Sequence, residues 1–104
     1  MIVPMSVDAI FSTAISGLQA NAARVGIAAF NVVNANSEGF KARAVTASSS
    51  MPSGVATSVT RTDRPVDVAQ EFVGMIQAEA GYNANAEVMK TASRMTGALL
   101  DVLA

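Results

Sequence analysis

The chain has 104 residues and a formal net charge of −1, with 51% apolar and only 5% aromatic residues. This length predicts one structural unit with a modest core, and the near-neutral charge excludes a global attraction to nucleic acid. Cysteine and histidine are both absent, which excludes disulfides, thiolate metal sites and histidine-based acid–base or metal chemistry.

The first predicted element is a helix from about Ser6 to Asn34. Ser6 is placed to cap it, and Asp8 lies in the first turn, where a carboxylate stabilises the helix dipole. Apolar residues then recur at alternating steps of four and three, the spacing of a coiled-coil seam. The predicted seam comprises Phe11, Ile15, Leu18, Ala22, Val25, Ala29 and Val32.

The helix leads into the asparagine-rich stretch "NVVNANSEGFK", residues 31–41. Asn31 and Asn34 share the most apolar end of the helix, so we expect both amides to be buried. A buried amide needs hydrogen-bond partners. We expect them in the backbone or in a neighbouring helix, near Tyr82 and Asn85. Gly39 is predicted to reverse the chain after the helix.

Threonine, valine and serine dominate the next stretch, "ARAVTASSSMPSGVATSVTRTDR". "MPSG" has the proline and glycine spacing of a type I turn, and the flanking runs predict a short β-hairpin. A flexible loop is the alternative. Basic residues Lys41, Arg43, Arg61 and Arg64 could converge at one end of such a hairpin, either as a solvated base or as a surface for an anionic partner.

A second long helix is predicted after Pro65. Asp67 is expected to cap it, with Gln70 three residues later in a capping-box pattern. Its apolar residues form two stripes: one with Phe72, Met75, Tyr82, Ala86, Met89, Leu100 and Leu103, the other with Val73, Ile76, Ala80, Val88, Met95 and Val102. Gly74 and Gly81 are unfavourable inside a helix. They indicate either close approach of another backbone or a tolerant position.

These elements predict a mainly α fold, in which two long helices form an antiparallel coiled-coil-like hairpin joined by a short β-hairpin or extended loop. We divide the single unit into an N-terminal helix with its asparagine-rich exit (1–40), the connection (41–65) and the C-terminal helix (66–104). Folding the helices together covers only one stripe of each. The other stripes predict an oligomer or filament.

Reaction chemistry is not indicated anywhere in the chain. No histidine is present to activate a serine, and no phosphate-binding loop or dinucleotide fingerprint occurs. Asp63 and Asp67 flank Pro65, where turn and cap roles are expected rather than paired catalytic carboxylates. Methionines on the helix stripes are expected to fill packing gaps. We therefore predict no enzyme activity, no cofactor and no catalytic or metal-binding residue.

Two motifs resemble the bacterial flagellar rod and hook proteins. "SGLQA" (16–20) and "AAFNVVNANSEGFK" (28–41) are similar to the N-terminal signature of that family, with matches at Asn31, Asn34, Ser37, Gly39, Phe40 and Lys41. "EFVGMIQAEAGYNANAEVMKTA" (71–92) is similar to its C-terminal signature, with matches at Glu71, Met75, Ile76, Ala78, Tyr82, Ala84, Asn85 and Thr91. Ser37 and Glu38 replace the usual threonine and proline, and no large outer domain separates the motifs.

The resemblance implies a short, proximal-rod-like structural subunit of the flagellar basal body in the cell envelope. Its partners would be itself, other rod and hook subunits and the flagellar type III export apparatus, with export without a cleaved signal peptide and no membrane span. The expected assembly and packing residues are Phe11, Leu18, Val25, Asn31, Asn34, Gly39, Phe40, Phe72, Met75, Ile76, Tyr82, Asn85 and Met89.

A different class of function stays open at this point. A small secreted or cytoplasmic helical-hairpin adaptor or chaperone could oligomerise without entering a flagellum. Such a protein should be folded and stably helical by itself, whereas we predict that an isolated rod-like subunit has frayed, partly disordered terminal helices. Circular dichroism and light scattering across a concentration series therefore distinguish the two hypotheses.

Overall fold

The computed structural model describes residues 7–50 and 54–103. Helix α1 spans Val7–Val33, strand β1 Arg43–Ser49, strand β2 Val55–Arg61 and helix α2 Val68–Leu103. The predicted pair of long helices is confirmed, and of the two predicted connections the β-hairpin is the one present. The predicted cap at Ser6 and the central residues of the "MPSG" turn lie outside the described residues.

Local chemistry at the helix ends follows the sequence. The Asp67 side chain caps α2, because its Oδ1 accepts a hydrogen bond from the Gln70 amide N–H at 3.2 Å. After α1 the chain tightens through successive turns and reverses at Gly39, whose φ of 75° is the left-handed conformation that glycine adopts without strain. Both predicted boundary signals are therefore confirmed.

The two helices run antiparallel and approach each other at two glycines. A Cβ atom built on Gly17 would lie 2.8 Å from the Asn85 amide, and one built on Gly81 would lie 2.9 Å from the Asn21 amide. Each asparagine Nδ2 also donates to the carbonyl of the glycine four residues earlier in its own helix, at 3.0 Å. Both helices thus present the same Gly-x-x-x-Asn surface to each other in opposite directions.

Small residues, and not the predicted seam, occupy the buried faces of the helices. The buried apolar side chains in the described residues are all alanines: Ala14, Ala20, Ala28, Ala42, Ala78 and Ala92. By contrast Ile15 of the predicted seam is 42% exposed, and Phe72 of the predicted α2 stripe is 50% exposed. The predicted coiled-coil seam is not confirmed: its members alternate between half-buried and exposed, and at the closest approach of the helices glycine of one helix lies against asparagine of the other.

The hairpin lies along α1. Its strands pair antiparallel from Arg43 opposite Arg61 to Ser49 opposite Val55. At its tip the Val55 amide N–H donates to Ser16 Oγ at 3.0 Å, and the Ser16 hydroxyl donates to the Thr13 carbonyl at 2.7 Å. This end of the hairpin is therefore held against the first half of α1.

We predict that the two kinds of helical glycine respond oppositely to alanine. Gly26→Ala should stabilise the protein by about 1 kcal/mol, since a Cβ there meets nothing within 4 Å and alanine is the better helix former. Gly17→Ala should instead lower the melting temperature, because the new methyl group must displace the Asn85 amide. Thermal unfolding followed by circular dichroism measures both. Equal gains in the two variants would contradict the close crossing.

Candidate assembly site

Asn31, near the end of α1, joins three segments of the chain through one amide. The residue is 0% exposed. Its Nδ2 donates to the Arg43 carbonyl at 2.8 Å and to Glu71 Oε1 at 3.1 Å, while its Oδ1 accepts from the Arg43 N–H at 2.9 Å. The amide therefore pairs with the β1 backbone as a neighbouring strand would, and it also reaches α2. A buried amide needs such partners, and Asn31 has them on both of its polar atoms.

The two predicted amides have different environments. Burial and bonding to backbone and a neighbouring helix are confirmed for Asn31, but the expected location near Tyr82 and Asn85 is wrong. The reason is the antiparallel register, which brings the end of α1 to the start of α2 and leaves Asn85 facing Gly17. Asn34 is partly exposed, and its Nδ2 donates to the Phe30 carbonyl of its own helix at 2.9 Å, so its predicted burial is also wrong.

Aromatic and basic side chains cover the outer side of this junction. The rings of Phe30 and Phe40 are 5.6 Å apart at an interplanar angle of 59°. The Arg43 guanidinium carbon lies 4.7 Å from the centre of the Phe30 ring, within the range of a cation–π interaction. Phe40 is thus placed at the junction by the turn that Gly39 makes possible.

The predicted basic cluster forms at the base of the hairpin. Arg43 and Arg61 are directly opposite in the strand ladder. Together with Lys41 they line one shallow depression, in which Asp63 is also present, while Arg64 lines a neighbouring groove with Arg43. Like charges that face each other across a ladder are destabilising. The contact of Arg43 with Phe30 gives one of these two charges a partner.

Large apolar side chains are exposed along both helices. On α2 the most exposed of those near the start of the helix is Ile76, at 66% exposure. Other exposed large apolar side chains on α2 include Phe72, Val73, Tyr82, Val88, Met95, Leu99, Leu100 and Val102. On α1 they are Ile15, Phe30 and Val33. Large exposed apolar patches are typical of surfaces that bind other proteins. Neither helix, as far as the structure describes it, carries a run apolar enough to cross a membrane.

Apart from Asn31, the expected packing residues on the two helices fall into two groups. Phe11, Leu18, Val25, Met75, Asn85 and Met89 are half-buried, whereas Phe72, Ile76 and Tyr82 are exposed and available to a neighbour. Sequence reasoning missed Glu71 as the partner of Asn31 and missed the pairing of Gly17 with Asn85. The repeated spacing in "GLQAN" (17–21) and "GYNAN" (81–85) is the signal that could have revealed the helix crossing.

An antiparallel helical pair with small residues inside and large ones outside is typical of a structural subunit that packs against further chains. Residues 65–102 match the family model of the flagellar basal body rod FlgEFG protein C-terminal region. The match covers α2 and the residues just before it, and this similarity supports a basal-body rod-type structural role in general. No curated protein matches the chain significantly.

We predict that Asn31→Ala destabilises the protein far more than Asn34→Ala. Removing the Asn31 amide leaves the Arg43 N–H and carbonyl without their partner, at a cost of roughly 2–4 kcal/mol in the free energy of unfolding. Asn34 bonds only within its own helix, so its loss should cost about 0.5 kcal/mol or less. Urea unfolding of the two variants provides the comparison, and similar losses would show that the Asn31 junction contributes nothing special.

Proposed function

We propose that this protein is a structural subunit of the bacterial flagellar rod that assembles helically through its paired long helices and serves motility. One observation carries the proposal: the helix that matches the rod family leaves many of its large apolar residues uncovered. Val73 and Ile76 lie near its start, and Leu99 and Leu100 near its end. A neighbouring subunit would cover them.

The distribution of apolar surface favours assembly over an independent fold. Burying a large aliphatic or aromatic side chain contributes about 1.5–3 kcal/mol, whereas an alanine methyl group contributes far less. In the described residues the buried apolar side chains are alanines, and many of the large ones are exposed. Part of the hydrophobic stabilisation that this sequence can supply is therefore left for association.

The proposed partners are further copies of the chain and other rod and hook subunits. The assembled position is the basal body in the cell envelope, where the helices would line the inner part of the axial structure and the hairpin would pack outside them. Export through the flagellar type III apparatus without a cleaved signal peptide completes the proposal. The family match supports the rod context of these statements.

We predict that Val73→Ser combined with Ile76→Ser weakens self-association without unfolding the subunit. Both side chains are exposed, so their loss removes intersubunit contacts and leaves the helix pair intact. Sedimentation velocity over a concentration series measures the effect, with Gln77→Ser, an exposed polar position on the same helix, as the control. A wild-type protein that stays a cooperatively melting monomer at all concentrations would contradict assembly and favour the helical adaptor.

A cellular experiment tests the rod role itself. Deletion of the coding sequence should abolish swimming and leave incomplete basal bodies, and the wild-type gene should restore both. The gene with Val73→Ser and Ile76→Ser should not restore them if the exposed face of α2 joins the subunits. Normal swimming and complete basal bodies in the deletion strain would contradict a required rod component.

A further inference from the structure

The hairpin has an uncharged and weakly protected pair of edges. Residues 44–60 contain no aspartate, glutamate, lysine or arginine. Strand β2 is exposed along its whole length, and β1 is exposed over its last four residues. Exposed edge strands in natural proteins are usually protected by charges, prolines or short length. Neither seven-residue strand carries a proline, and between the terminal arginines neither carries a charge.

The hydrogen bonds to Asn31 show which backbone groups point outward. Both the N–H and the carbonyl of Arg43 bond to Asn31, so at this residue they point away from β2. In an antiparallel ladder such positions alternate along each strand. The backbone N–H and carbonyl groups of Val45 and Ala47 therefore also point away from the partner strand on β1. The same groups of their cross-strand partners, Val59 and Thr57, point outward on β2.

In the described residues, helix α1 caps this outward-facing backbone at two points. Asn31 bonds to Arg43 at the base of β1, and Ser16 accepts from the Val55 N–H at the tip of β2. Between them the described part of the chain provides no hydrogen-bond partner for the outward groups of Thr57 and Val59. A two-stranded hairpin is marginal in water by itself, and an added strand would stabilise it.

We propose that the outer edge of β2 pairs with the outer edge of β1 in a second copy of the chain. Hairpins that lie side by side and point in the same direction bring β2 of one copy antiparallel to β1 of the next. The contact joins two different surfaces, so it can repeat from subunit to subunit into a ring or helix. The proposal rests on the proposed assembly and identifies the part of the surface that joins neighbouring hairpins.

A second copy is the occupant that the charge pattern favours. The edge offers no charge that would attract an acidic or basic peptide, and two such edges meet without like-charge repulsion. Arg43 and Arg61 mark the base of the hairpin, so the pairing is confined to the neutral part between Val45 and Ser49 on one copy and Thr57 and Val59 on the other.

We expect Val59→Pro to weaken assembly roughly tenfold, since proline removes one outward N–H and leaves the hydrogen bonds between β1 and β2 in place. Val59→Ala is the matched control, because it shortens the same side chain and keeps the N–H. Sedimentation over a concentration series gives the shift in the assembly midpoint, and circular dichroism checks folding. If the proline variant does not fold, Thr57→Lys against Thr57→Ser repeats the test with a charge at the edge.

Disulfide trapping tests the pairing directly, because the chain has no native cysteine. Copies with Thr57→Cys or Val59→Cys are mixed with copies carrying Val45→Cys, Ala47→Cys or Ser49→Cys, which covers several strand registers. The proposal predicts mixed disulfides in excess of those between identical copies. Predominant β2–β2 disulfides, no disulfides, or unchanged assembly of a folded Val59→Pro protein would overturn the edge pairing alone. A wild-type monomer at every concentration would overturn the proposed assembly and this pairing together.

Discussion

The arrangement of the chain depends on the buried amide of Asn31. A core made of alanines has little shape with which to select one packing over another, because small side chains fit together in several registers. The Asn31 amide is specific: its bonds to Arg43 fix β1 against the end of α1, and its bond to Glu71 fixes the start of α2. Buried polar groups specify register in this way because every alternative leaves them unpaired.

A second pair of amides fixes the opposite half of the helix pair. Asn85 lies over Gly17 and Asn21 lies over Gly81, and each asparagine is held by a bond to its own helix. The helix pair is therefore positioned by polar side chains at two levels, the Asn31 junction and this crossing, with the buried Ala28 and Ala78 between them. Ser16 then holds the hairpin tip at the level of this crossing. The hairpin and α2 thus take their positions from α1.

The features predicted correctly from the sequence are those that local chemistry decides. The cap at Asp67, the reversal at Gly39 and the change from helix formers to valine and threonine each act within a few residues. The inward faces could not be predicted in the same way. Each helix has several apolar stripes. Choosing the inward stripe by the size of its apolar side chains selects the one with Phe72, whereas the face that packs inward carries Gly81. That choice holds for a protein that buries its apolar residues within one chain, and it reverses where backbones approach closely enough to exclude large side chains.

This reversal has an energetic consequence for the proposed assembly. Glycine and alanine on the inner faces let the helices approach but contribute less hydrophobic free energy than large side chains would. The large side chains of α2, including Ile76 and Leu100, contribute when a neighbour covers them. A chain with large apolar residues on the inner faces and small residues on the outer faces would bury its apolar surface alone. It would then offer only a polar or small-residue surface to its neighbours. In the proposed assembly, association would therefore add to the stability of the fold, because a neighbour would bury large side chains that a single copy leaves exposed.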